Sequence, residues 1–505
     1  MIFSDVRKIN TSVQKAFFVE KIDLYIRLVE VFCEKNKLPL RAGKRIPIDE
    51  FISIGVIIDN SGLPALKQFL GGKFEPFRKA VCFVEEHKNE VFSYVALLYN
   101  SYRSEKQDEL LKSDAPALAD FFCGAGGLSL GFRQVGFNVV LANDIEDVCI
   151  ETYKYNHPEV PANQVIQGDI KNIVDDIDSY INKKVDIVVG GPPCQGFSSA
   201  NKNHRVIDDP RNKLYKYFIE AVRKLAPKFV VMENVKGMLK VASQVVEDYQ
   251  SITVNINGQQ QSYKVAYRLL NSQNFSVAQS RERLIYIAIR DDVCKTRGIT
   301  PESIFEEIIS YCSSLPTYIL SDALECIKPL EAQRERNKNE EDSNISGKKI
   351  DVNLFADNSN DYIKEINSYR YVPIIFNHKA RYCSDLNYEI YRRLNQGDDA
   401  TDEKVVDIMP YAHRNHCFKD KYYKLIANKP CRTITAHLRM DCHSHIHPFQ
   451  VRSLTPREAA RVQSFPDDYL FLGAYLKTYM QVGNAVPPLM ARGIAKIIIK
   501  YIKEV

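Results

Sequence analysis

The chain has no tryptophan among its 505 residues. It also has no apolar run that approaches the length of a membrane-spanning helix. Its first residues, Met1-Ile2-Phe3-Ser4-Asp5-Val6-Arg7, lack the apolar core and small-residue cleavage site of a secretory leader. Twelve cysteines are present but follow no paired framework spacing, which excludes a disulfide scaffold and suits reduced thiols in a cytoplasmic protein. Net charge is small: 68 basic against 63 acidic residues leave +5. That balance permits a nucleic-acid partner without arguing for one. With 45% hydrophobic and 26% charged residues, the composition is that of an ordinary globular chain, long enough for two or three domains. Tyr and Phe, 28 and 25 of them, supply the stacking surfaces that tryptophan does not.

What is present falls into blocks. Residues 1–112 read as helical, with Leu24, Ile26, Leu28, Val29, Val31 and Phe32 at helix-like spacing. A second helix is expected from Pro47 through Ile57, a turn at Asn60-Ser61-Gly62, a further helix from Leu63, a long one from Val81 to Tyr102, and a charged linker from Ser104 to Lys112. Short helices joined by a glycine turn fit either a DNA-reading helix-turn-helix or a packing unit. From Ala117 strands and helices alternate, which predicts an α/β fold with a parallel sheet. Strands are expected at 117–122, 139–143, 185–189, 229–233 and 284–289, and Asn257-Gly258 predicts a hairpin. The alternation stops after Arg290 and resumes near Ser453. The expected domains are therefore 1–112, a catalytic domain at 113–290 and 451–505, and an inserted domain at 291–450, with Gln333–Lys349 as a solvated insertion.

Chemistry concentrates at the strand ends. Gly190-Gly191-Pro192-Pro193-Cys194-Gln195-Gly196-Phe197-Ser198 follows an apolar strand; the prolines stiffen a turn that presents one cysteine. Asp120-Phe121-Phe122-Cys123-Gly124-Ala125-Gly126-Gly127-Leu128 is a glycine-rich strand-to-helix turn. A dinucleotide fingerprint would need glycine where Ser129 stands, which disfavours a dehydrogenase. Asp144 and Asp169 close the next two strand regions, where acids suit ribose and adenine contacts or serve as caps. Glu233 ends an apolar strand, where a carboxylate needs a partner and can share a proton with a ring nitrogen. Arg281 and Arg283 alternate onto one face before the last strand.

These segments, with Arg457-Glu458-Ala459-Ala460-Arg461 and Gln481-Val482-Gly483-Asn484-Ala485-Val486-Pro487-Pro488, run in the order found in cytosine-5 methyltransferases, and the chain resembles that family over roughly 117–290 and 430–495. The resemblance implies a Rossmann-like class I methyltransferase sheet and S-adenosyl-L-methionine as cofactor. It implies that Phe122 packs on the adenine, Gly124 and Gly126 line the amino-acid part, and Asp144 and Asp169 bind ribose and the adenine amino group. Ile145 stands where some relatives carry an aromatic. Pro192, Asn484 and Ala485 complete the cofactor site, while Arg457 and Arg461 support the architecture. Cys194 becomes the nucleophile, Glu233 and Arg283 hold the cytosine, and Arg281 orders the cysteine.

The resemblance further implies a flipped-out target base in double-stranded DNA. The segment Asn201–Lys216, with Lys202, Arg205, Arg211, Lys213 and Lys216, would close on the DNA, Gln195 and Ser198 beside the cysteine would also contact it, and Thr433, Thr435 and His437 would do so from the edge of the 291–450 recognition domain. Six histidines crowd residues 413–447 with Cys417, Cys431 and Cys442, but their spacing does not match paired metal ligands, so no metal is expected. The expected setting is a monomeric bacterial modification enzyme, acting at the nucleoid, with a cognate restriction endonuclease for the same site. A transfer-RNA cytosine-5 methyltransferase and a non-catalytic DNA-binding regulator are the alternatives.

Overall fold

The structure, a computed structural model, describes residues 2–181, 183–193, 213–410 and 421–502. Cys194, Gln195, Ser198, Lys202, Arg205 and Arg211 lie outside the described residues, as do His413, His416 and Cys417.

Five parallel strands form the centre of the fold: β1 (Ala117–Phe121), β2 (Asn138–Asp144), β3 (Val165–Gln167), β4 (Ile187–Gly190) and β5 (Phe229–Val235). A hairpin of β6 (Val254–Ile256) and β7 (Gln259–Gln261) follows. Asn257 and Gly258 both take positive φ, 54° and 83°, the paired left-handed geometry that the dipeptide predicts. β8 (Tyr263–Asn271) and β9 (Glu282–Arg290) then complete the sheet in the order β3-β2-β1-β4-β5-β9-β8, with β9 antiparallel to both neighbours. This is a Rossmann-like, mostly parallel α/β sheet, as expected.

Alternation within the strands separates two cores. Leu118, Val189 and Val231 face one side, where they meet Ile150, Phe305, Ile308 and Ile494. Ala119, Val188 and Val230 face the other, against Val174, Phe218, Val222 and Val245. Because both faces are covered, the central strands read as continuous Val/Ile runs rather than alternating ones.

The N-terminal block is helical, and its first long helix, Ser12–Asn36, opens with a capping box between Thr11 and Gln14. The expected single helix over 81–102 is instead broken: Phe74–Glu86 and Lys88–Val95 are separated at His87, and a third helix starts at Asn100. The expected linker is also helical. Asn100–Lys112 buries Leu110 and Arg103, and the Arg103 guanidinium donates to the carbonyls of Leu97 and Lys154. Glu, Lys, Gln and Leu are good helix formers, so charge alone was a poor sign of a linker.

After β9, helices Asp291–Arg297 and Pro301–Ser313 pack on the sheet and on the C-terminal helix Pro488–Ile502. A second antiparallel ribbon pairs β10 (Gly347–Val352) with β11 (Ile374–Lys379). The end of the expected solvated insertion is docked rather than free: Glu340 accepts from the Tyr475 N–H, Asp342 pairs with Lys379, and Lys349 pairs with Glu20. One stretch, Tyr475–Ile502, is long and apolar enough to cross a membrane, against the sequence expectation, but 78% of its most apolar window is buried inside the protein. It is also broken into two helices, Tyr475–Asn484 and Pro488–Ile502.

Candidate active site

The carboxyl ends of β1 to β5 surround a cavity of about 470 Å³. Open parallel sheets place ligands there because loops, not paired strands, form the rim. The cavity gathers Phe122, Gly124, Asp144, Ile145, Asp169, Pro192, Asn484 and Ala485 with Glu233, Arg281, Arg283 and Thr435. It also includes Pro193, which immediately precedes Cys194 in the sequence.

At one end the glycine-rich turn leaves β1 through Phe122, whose φ of +58° is rare for an aromatic. Gly124 has φ +52°, and a Cβ placed there would meet no atom within 4 Å. The turn thus offers open backbone toward the cavity. Asp144 accepts from the Gly124 N–H and the Glu146 N–H, both at 2.9 Å, and burial raises its pKa above the usual carboxylate value. Ile145 is 66% exposed at the rim, an apolar surface to which a flat ring can be applied. Asp169 caps the helix Ile170–Asp175 through the Lys171 N–H and also lines the cavity, so the cap and the site coincide. An open glycine backbone, an exposed aliphatic side chain and two carboxylates fit the amino-acid, adenine and ribose parts of S-adenosylmethionine. Gly126 does not line the cavity. Its missing side chain faces the Tyr469 hydroxyl and the His157 ring, which a Cβ would approach to 2.7 and 2.9 Å.

At the other end Glu233 and Arg283 form an ion pair, Nε to Oε1 at 2.8 Å, with side chains 13% and 15% exposed. Glu282, between the two arginines in sequence, pairs with Lys236. Gly191 keeps the strand end close to this carboxylate, since a Cβ there would stand 3.1 Å from Glu233 Oε2. Asn234 is the residue whose role sequence reasoning missed. It is buried, and its Nδ2 donates to the Pro192 carbonyl at 2.9 Å, pinning the proline turn to β5.

Arg281 is buried and braces the site. Its guanidinium donates to the Ile434 carbonyl at 2.6 Å and the Gly483 carbonyl at 3.0 Å, and burial lowers its pKa to about 9. Gln279 accepts from the Ile434 N–H at 2.7 Å, a second tie between the 279–281 segment that precedes β9 and the 431–436 segment. Gly483 is needed where it stands, because a Cβ would fall 2.2 Å from the Ala436 nitrogen. Thr433 lies beyond this junction in a second cavity and donates to the Ser280 carbonyl, whereas His437 is exposed on the short helix Ala436–Arg439. Of the cations expected in the loop after the cysteine, Lys213 and Lys216 belong to the helix Lys213–Leu225.

The described histidines of the 437–447 segment include three held by packing and hydrogen bonds. His443 stacks on Tyr422 and bonds the Tyr391 hydroxyl, His445 bonds Ser444, and His447 accepts from the Phe449 and Gln450 N–H groups. Among the described residues no three His, Cys, Asp or Glu side chains gather as metal ligands do. Burial lowers the pKa of His378 and His443 to about 4, and of His445 and His447 to about 3. In the unfolded chain these groups titrate near about 6.5. Their contribution to stability is therefore complete above that pH and is lost as pH falls toward 4, at ~1.4 kcal/mol per group and pH unit. Denaturant midpoints should be level from pH 7 to 8 and fall steadily from 6.5 to 4.5; a level midpoint across the acid range would contradict the burial of these rings.

Comparison with known proteins finds a matching family and relatives. The family described as C-5 cytosine-specific DNA methylase matches residues 117–500. The chain is 34% identical over 391 residues to Type II methyltransferase M1.HphI of Haemophilus parahaemolyticus, covering 75% of this chain and 86% of that one. It is 32% identical over 415 residues to Type II methyltransferase M.DdeI of Desulfomicrobium norvegicum, covering 77% and 89%. A solved structure named as a DNA modification methyltransferase encoded within an E. coli prophage shares the fold, with a TM-score of 0.58 and 24% identity over 77% of this chain and all of that one.

Proposed function

Since the chain belongs to the C-5 cytosine-specific DNA methylase family, we propose that it methylates C5 of a flipped-out cytosine in a specific duplex sequence through a covalent Cys194 adduct. The observation that carries this reading is the single cavity in which the Glu233–Arg283 pair, the Pro192-Pro193 turn and the Asp144–Asp169 rim meet.

The residues that would hold S-adenosylmethionine are Phe122, Gly124, Asp144, Ile145 and Asp169, with Asn484 and Ala485 closing over it. When bound, it supplies an electrophilic methyl group. Cytosine C5 is too electron-poor to take that methyl unaided. Cys194, as thiolate, adds to C6 and pushes its electron pair through the ring toward C5. Glu233 holds N3 and the exocyclic amine and shares the proton that neutralises the ring. Arg283 binds O2 while keeping Glu233 oriented. C5 would take the methyl as the methyl–sulfur bond breaks, the sulfur keeping that electron pair as a neutral thioether; a base removes the C5 proton, and the returning electron pair expels Cys194. A stacked base cannot reach this cavity, so the cytosine leaves the duplex. Gln195, Ser198, Lys202, Arg205 and Arg211 would close on the DNA, with Thr433, Thr435 and His437 at the recognition edge. The Type II names of the relatives support a role in protecting a site from a cognate endonuclease.

The test is transfer of labelled methyl from S-adenosylmethionine to duplex DNA and to transfer RNA, with Cys194→Ala beside the wild type. Label in DNA alone, lost in the variant, is the expected result. Label in RNA would move the enzyme to RNA substrates. No label from wild-type protein that binds cofactor would leave a DNA-binding regulator.

A further inference from the structure

The family match begins at residue 117, so the helical block before it falls outside the matched region. That block is not a separate body. Its apolar core runs on into Tyr155, Ile350, Ile374, Phe376, Leu470 and Leu472.

The helix Ser12–Asn36 reaches the back of the cavity wall with one aromatic side chain. Phe17 packs with Ala436 against a small cluster of Val148, Cys149 and Met480. Cys149 and Ala436 themselves line the cavity. Val148 and Cys149 open the helix that follows Asp144, Ile145 and Glu146, and Met480 precedes the cavity-lining Gln481. The cluster under this ring thus joins the 144–149 wall to Met480, next to the cavity-lining Gln481, and Ala436 packs on the same cluster. Its position is fixed by polar ties on the same helix. Lys21, one turn on from Phe17, pairs with Glu151 at 2.5 Å, and Glu20 accepts from the Gly473 N–H at 2.8 Å.

We infer that the N-terminal block completes the wall of the cofactor cavity, with Phe17 as a positioning residue for Asp144 and Ile145. The inference rests on the reading of that cavity as the S-adenosylmethionine site. Removing this half-buried ring strips packing from the Val148, Cys149 and Met480 cluster, so the 144–149 segment relaxes toward the space it leaves. The carboxylate and the apolar rim then lose their alignment with the adenosine. Neither Glu233 nor Arg283 touches Phe17, so the chemical step is untouched.

The experiment is calorimetric titration of full-length protein with S-adenosylmethionine, for the wild type and for Phe17→Ala, Phe17→Leu and Phe69→Ala. Phe69 packs edge-on against Phe18 at 5.3 Å and loosens the same block without meeting the wall. Phe17→Ala should raise the cofactor Kd about three- to tenfold. Its KM for cofactor should rise likewise, with kcat for methyl transfer unchanged. Phe17→Leu should restore wild-type binding, and Phe69→Ala should lower the melting temperature while leaving the Kd alone. An unchanged Kd in Phe17→Ala overturns the inference, as does an equal rise in Phe69→Ala. Failure of the wild type to bind cofactor overturns the reading of the cavity itself, and this inference with it.

Discussion

Glu233→Gln should lower the single-turnover rate of methyl transfer by about 10²–10⁴-fold, the range for losing a positioned acid–base group. The substitution keeps the size of the side chain and its place at the end of β5. It removes the negative charge that Arg283 Nε meets at 2.8 Å and the ability to share a proton with the cytosine ring. The carboxamide can still donate to or accept from the base, so binding of DNA should change less than the rate. Cofactor affinity should stay within about twofold, because the groups proposed to hold S-adenosylmethionine lie on other strand ends. Rapid-quench measurement at saturating DNA and cofactor separates these terms. A variant that loses DNA affinity but turns over at the wild-type rate once saturated would make Glu233 an anchor for the base and no more.

The family was legible because its motifs are short segments at strand ends. Pro192-Pro193-Cys194, Glu233 and the Arg281/Arg283 alternation each announce a backbone geometry as well as a side chain. The sheet was legible for a similar reason: strands covered on both faces give continuous apolar runs, and β1, β2, β4, β5 and β9 fall within a few residues of their expected positions. What was not legible depends on partners distant in sequence. Arg281 reads as a group for the cysteine, yet its guanidinium spans Ile434 and Gly483, 153 and 202 residues away. Gly126 reads as a cofactor contact, but its space is taken by Tyr469 and His157. Lys349 reads as solvated charge until Glu20 is brought beside it. In each case local sequence specified the residue's chemistry and a remote segment decided its use.

The largest stability loss is expected at Asp467. Arg461 and Asp467 are both fully buried and meet through two bonds, Nε–Oδ1 at 2.7 Å and Nη2–Oδ2 at 2.9 Å. Arg461 also donates to the carbonyls of Glu325 and Cys326, so one guanidinium ties the helix Pro456–Val462 to the 325–326 turn. Burial alone would raise the Asp467 pKa; the opposing charge of Arg461 outweighs it and holds the carboxyl below its usual value. Asp467→Ala leaves the guanidinium buried without its counter-charge and should cost about 3–5 kcal/mol, the penalty for breaking a buried pair from one side. The adjacent residue supplies the comparison. Asp468 makes an equally short bond to Arg370, Nη1–Oδ2 at 2.6 Å, but those side chains are 35% and 53% exposed. Solvent screens that pair, and Asp468→Ala should cost less than about 1 kcal/mol. Urea unfolding of the two variants beside the wild type reads both quantities. Equal midpoints for the neighbouring substitutions would show that burial of the Arg461 pair contributes nothing beyond what a surface pair contributes.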